Sequence, residues 1–166
     1  MFKKMDNEEY FKVSELERAG KTKEGLALLK RLVDEGHPLA LLDMSTRYYS
    51  TEGFAYPVEK IPTDYKKSEE LAVLAKEKLE QLSTAGDGES MRMLASTYFG
   101  NWHPIHEKSI EKAEKLLLKA YKANCYFAAN DLATFYIGSD LEKAKFWYQE
   151  AERHNCRVIH DDKLET

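Results

Sequence analysis

Turn-forming residues are scarce in this chain: four prolines and eight glycines among 166 residues. That scarcity argues against a many-turned β protein and suits helices. No run of about 18 apolar residues is present to span a bilayer. Lysine and arginine show no excess either. The formal charge is -4 and the pI is near 5.8, which leaves no basic footprint for nucleic acid or for an anionic membrane. The mildly acidic balance would favour a basic partner, if any. Also missing are a glycine-rich phosphate loop, a nucleophile elbow and the paired-cysteine spacing of a zinc site. The first nine residues turn acidic at Asp6, Glu8 and Glu9 with no apolar signal core, so a cytoplasmic protein is expected.

What the chain does have is an ordinary globular composition, 43% hydrophobic and 33% charged, unlike a disordered tail. Its length is one domain's worth, enough to bury about 70% of the unfolded surface. Within it, four stretches lie over one another without a gap. They close at Gly36, Gly86, Asn124 and Asn155, and eleven positions earlier each carries a small residue: Gly25, Ala75, Ala113 and Ala144. Self-similarity on this scale is the mark of stacked helical hairpins, each unable to bury its apolar face alone.

The second half of each repeat reads as a helix with a small, large, small rhythm along one stripe. Ala144, Trp147 with Tyr148, and Ala151 show it in the last copy; Ala113, Leu116 with Leu117, and Ala120 show it in the third. Steps of three, four and seven put such residues on one face. Gly and Asn then end each helix, because they tolerate the left-handed conformation of a C′ position. The first half follows the stop. Offset four is Ala40, Ser90 and Ala128; offset eight is Met44, Leu94 and Leu132; offset twelve is Tyr48, Tyr98 and Tyr136. Only the stretch from that Tyr to the next small residue varies, so the inserted segments are loops. Ser139-Asp140-Leu141-Glu142 has a capping-box pattern, and Ser109 and Thr63 are the expected N-caps of the equivalent helices. In the second copy the pattern predicts one long helix, about 64–85. The repeats are then 8–36, 37–86, 87–124 and 125–155 of a single domain, with a charged tail expected to fray beyond Ile159. Cys125 and Cys156 each follow a closing Asn. Equivalent positions in stacked elements stand about 8–10 Å apart, too far for a disulfide, so two free thiols in a reducing compartment are expected.

Asp140-Leu141-Glu142-Lys143-Ala144-Lys145-Phe146-Trp147-Tyr148-Gln149-Glu150-Ala151, preceded by Leu132-Ala133 and Tyr136, resembles a Sel-one-like repeat (SLR), a relative of the tetratricopeptide repeats. The last copy fits well. The third has Leu116-Leu117 in place of Trp-Tyr, the second carries a long insertion, and the first keeps only the helical skeleton. The resemblance implies an all-α fold, an α/α superhelical solenoid of about four helix-turn-helix hairpins. It further implies a non-catalytic protein-binding role, as an adaptor or as a small bacterial immunity protein that neutralises a toxin encoded by a neighbouring gene. It carries over no catalytic residue and no cofactor.

Two sets of residues are candidates for binding that partner. The inserted loops 50–63 and 100–108 carry Phe54, Tyr56, Trp102 and His103, aromatic groups of the kind that dominate interface energetics. Offsets six and eleven of the first helices fall between the packing stripes on this reading. They supply Arg47, Arg92, Asn130 and Phe135, on the side that solenoids present as concave. The rival is a metal-assisted hydrolase using His103 and His106. Zinc needs three or four ligands, and the sequence shows no second cluster to add to these two; no metal is expected.

Overall fold

All four repeat-closing residues stand in the left-handed region: Gly36 at φ 76°, Gly86 at 98°, Asn124 at 64° and Asn155 at 54°. Each is locked by the same pair of backbone bonds. The closing N–H donates to the carbonyl three residues back, and the next N–H donates to the carbonyl five back. His37 N–H to Leu32 O, Asp87 to Leu82, Cys125 to Ala120 and Cys156 to Ala151 span 2.8–3.0 Å. This is the Schellman arrangement, which satisfies the last carbonyls of a helix. Gly20 repeats it, at φ 79°, in the first hairpin. An L side chain at positive φ costs about 1–2 kcal/mol, less for asparagine. Asn124→Gly and Asn155→Gly are therefore expected to leave stability unchanged or raised by up to about 1 kcal/mol, and Asn124→Val to lower it by about 1–2 kcal/mol, read by urea unfolding.

The computed structural model describes residues 6–100 and 107–165. Among them the helices are α1 Glu8–Arg18, α2 Thr22–Asp34, α3 Pro38–Tyr49, α4 Tyr65–Thr84, α5 Gly88–Ser96, α6 Ile110–Lys122, α7 Ala128–Tyr136, α8 Leu141–Arg153 and α9 Asp162–Glu165. The chain is all-α, and α1–α8 pair into the four helix-turn-helix hairpins that the repeats predict. No described helix is long and apolar enough to cross a membrane. Two compact units are distinguished by their contacts. Among the described residues one holds 6–81, and the other holds 82–100 with 107–165. In the first unit α1 packs on α2 and α2 on α3, with α4 joined to α3 by the reciprocal Ser45–Ser68 hydrogen bonds; in the second, α5 to α9 pack in chain order, neighbour on neighbour.

The small residues of the repeat do what their size suggests. Ala75, Ala113 and Ala144 have no exposed surface, and neither do Ala40, Ser90 and Ala128. Between them Met44, Leu94 and Leu132, with Tyr98 and Tyr136, form the buried seams. Gly25 holds the same position in α2, and its lack of a side chain has a specific cause. A Cβ there would lie 2.6 Å from Glu17 Cγ, on a side chain that is fully buried and held by Arg47. Alanine would improve the helix by about 1 kcal/mol, yet it cannot enter without moving that ion pair. Gly25→Ala is expected to destabilise by about 1–3 kcal/mol in chemical denaturation, an overpacking cost that outweighs the propensity.

Ser109 caps α6 as expected, accepting from the Lys112 N–H at 3.5 Å. The other two caps stand one residue later than expected. Asp140 rather than Ser139 accepts from Lys143 N–H, at 3.1 Å, and Asp64 rather than Thr63 accepts from Lys67 N–H, at 3.0 Å. A carboxylate is the stronger acceptor and its charge suits the helix N-terminus. The tail also departs from expectation. It does not fray beyond Ile159 but turns into α9, where Leu164 is buried in the second unit's core. Tyr148 explains the docking, since its hydroxyl meets both Arg157 and Glu165.

Candidate functional site

Arg47 is fully buried and is not a surface residue. The reason is rotational. At 3.6 residues per turn, offset eleven lies only about 20° from offset four, inside the packing stripe and not between stripes. The same rotation buries Thr97, at offset eleven and next after the last residue of α5. Arg47 spends its guanidinium on two carboxylates. Nη1 and Nη2 donate to the two Glu17 oxygens at 2.5 and 3.0 Å, while Nε and Nη2 donate to Asp43 at 2.7 and 3.3 Å. Burial pulls the guanidinium pKa down, but the bonds to Glu17 and Asp43 more than offset that, so it is held above its ordinary value. This triad ties α1 to α3.

The first inserted loop is laid over this ion cluster. Phe54 is half-buried with its ring 5.2 Å from the Arg47 guanidinium, and Tyr56 is half-buried with its ring 4.9 Å from that of Arg18. Thr22 Oγ1 donates to Glu59 at 2.8 Å, and Ile61 joins the core of α1–α3. Phe54 and Tyr56 thus serve the loop's own closure. Trp102 and His103, with His106, lie outside the described residues. Among the described residues no group of three or more His, Cys, Asp or Glu side chains is placed to hold a metal ion.

Asn130 is buried as well, contrary to the expectation of an exposed position. Its side-chain amide donates to the Cys156 carbonyl at 2.7 Å and its oxygen accepts from the Val158 N–H at 3.0 Å. It fastens the C-terminal segment to α7, where in α5 the equivalent Arg92 reaches toward α7.

Arg92 and Phe135 do come together. They line an open groove of about 650 Å³ in the second unit, between α5, α6 and α7. Its apolar lining is Met93, Phe99, Ile110, Leu117 and Phe135, with Ser96, Thr134 and Ser139 at intervals. The Phe99 and Phe135 rings stand 6.3 Å apart. One wall is ionic. Arg92 Nε and Nη2 donate to the two Asp131 oxygens at 2.5 and 3.3 Å, and Nη1 donates to Glu89 at 3.2 Å. Glu89 also accepts the Cys125 thiol at 3.2 Å. Burial, reinforced by Glu89, pushes that thiol up to about 12, so it stays protonated and is no nucleophile near neutral pH. Burial likewise holds the Asp131 carboxyl above the usual range in spite of Arg92.

The first helices therefore do supply an accessible surface, through offsets seven and ten. Met93 and Asp131 share offset seven, and Ser96 and Thr134 share offset ten. Sequence reasoning missed them because a groove between two helices needs their relative placement. A smaller groove of about 380 Å³ between α2, α3 and α4 is lined by Lys30, Asp34, Lys67 and Glu70 beside Val33, Met44, Tyr48 and Leu71; its charged lining makes it the poorer apolar site. Family models, curated proteins and solved structures give no match to this chain.

Proposed function

We propose that this protein is a non-catalytic binding module that holds a segment of a protein partner in the α5–α7 groove. The carrying observation is the set of apolar side chains gathered in one open groove, with Ile110 left 44% exposed at its edge. Apolar surface gathered into one concave strip is costly in water and is recovered when a partner covers it. Aromatic side chains and a methionine suit that task, the former for contact area and the latter for adaptable fit. The thiol nearest the groove is held protonated and the carboxylates nearest it are engaged by Arg92, which favours holding a partner there.

An immunity-type protein and an adaptor both take this form. The first would show one partner and would be needed only when its toxin is made; the second would show several. The free thiols of Cys125 and Cys156 support a reducing compartment, the cytoplasm. The repeat motif through Asp140–Ala151 supports reading the hairpins as Sel-one-like. The test places a photo-crosslinking amino acid at Thr134, exposed on the groove, or at Gln149, exposed on α8. Cells expressing the Thr134 form are expected to yield discrete protein adducts and the Gln149 form none. Equal yields, or no adduct from either, contradict the reading.

A further inference from the structure

We infer that the segment held in the groove carries a lysine or arginine beside the apolar side chains that fill it. This rests on the groove being the binding site and goes on to name the chemistry of its occupant. The charge count of the wall decides it. Among the described lining residues Arg92 is the single cation, and two carboxylates share it: Asp131, in the lining, and Glu89, which adjoins it through Arg92. The third group in the network, the Cys125 thiol, is neutral. One negative charge is therefore left over in the ion network that borders the groove.

That surplus charge is tolerated because water still reaches it: the Asp131 side chain is 31% exposed and that of Glu89 28%. An apolar segment settling into the groove removes this water. A carboxylate desolvated without a counter-charge is strongly disfavoured, so a purely apolar occupant would give back much of what its burial gains. A basic side chain alongside restores neutrality and supplies the donors that Asp131 and Glu89 can accept. An acidic occupant has nothing to meet, because the Arg92 guanidinium is already forked onto Asp131, bonded to Glu89 and set 5.8 Å from the Phe127 ring. The chain's net charge of -4 acts in the same direction at longer range.

The experiment is selection of a phage-displayed random peptide library on the immobilised full chain, then affinity measurement with the enriched peptides. Asp131→Asn and Thr134→Arg proteins run in parallel, each checked for an unchanged helical circular dichroism spectrum and melting temperature. The enriched peptides are expected to place Lys or Arg within one helical turn of Leu, Ile, Met or an aromatic residue. Replacing that basic residue by Gln is expected to weaken binding about fivefold to the native chain, the scale of a partly exposed ion pair, and much less to Asp131→Asn. Thr134→Arg, which crowds the groove from an exposed position, is expected to abolish binding. Enrichment of apolar sequences with neutral or acidic neighbours overturns the basic-residue inference and leaves the groove standing. Enrichment that survives Thr134→Arg, or none at all, overturns the groove and with it this inference.

Discussion

Arg47→Ala is expected to cost about 3–5 kcal/mol, the loss that follows when one member of a buried ion pair is removed and the other stays. Arg47 and Glu17 have no exposed side-chain surface, so the orphaned Glu17 carboxylate could not recover its hydration without opening α1 from α3. Against a total stability of about 5–15 kcal/mol for a natural domain, this takes the first unit close to unfolding. The double variant Glu17→Leu with Arg47→Met separates charge from volume. It removes both desolvation costs together and is expected to regain most of the loss, while Asp43 keeps the Tyr10 hydroxyl at 3.3 Å. Urea unfolding of the three proteins measures this. A single-variant loss under about 1 kcal/mol would mean that the triad is open to water.

Leu132→Ala is expected to destabilise by about 2–5 kcal/mol, in the upper half of that range. Leu132 has no exposed surface at the centre of α7. It belongs to one cluster with Leu117, Tyr136, Tyr148 and a set of fully buried alanines that includes Ala95, Ala133 and Ala144. Alanines have no side-chain length with which to fill a void, so the cavity would persist and its lining would lose contacts outright. Leu141→Ala serves as the comparison. At 40% exposure in the first turn of α8, its loss is expected to stay within about 0.5 kcal/mol. Equal effects from the two in denaturant titrations would show that α7 is not the buried centre of its unit.

Much of this architecture could be read from residues because backbone chemistry repeats with them. A glycine or asparagine at a fixed distance from a buried alanine requires a left-handed stop, and the stops at 36, 86, 124 and 155 all have one. The stripe through Ala40, Met44 and Tyr48 was legible for the same reason. Arg47 was misplaced because offset eleven was taken to fall between the packing stripes, although its rotation about the helix puts it inside the seam. Phe54 and Tyr56 looked like an anchor; without the buried arginine in view, nothing in the loop showed that it closes over a charge cluster. Asn130 gave no hint that it holds the tail. Of the groove, Arg92 and Phe135 were found through their offsets. Met93, Ile110 and Asp131 were not, since only the approach of α5 to α7 gathers them into one concavity.

The groove is tested most directly by hydrogen exchange on the chain alone and on the chain joined to the protein captured through Thr134. Slower exchange is expected in α5 and α7, over Gly88–Ser96 and Ala128–Tyr136, with no change along the exposed face of α8. Protection confined to α8 or to α1–α3, with α5 and α7 exchanging as before, would contradict the assignment of this face as the binding surface.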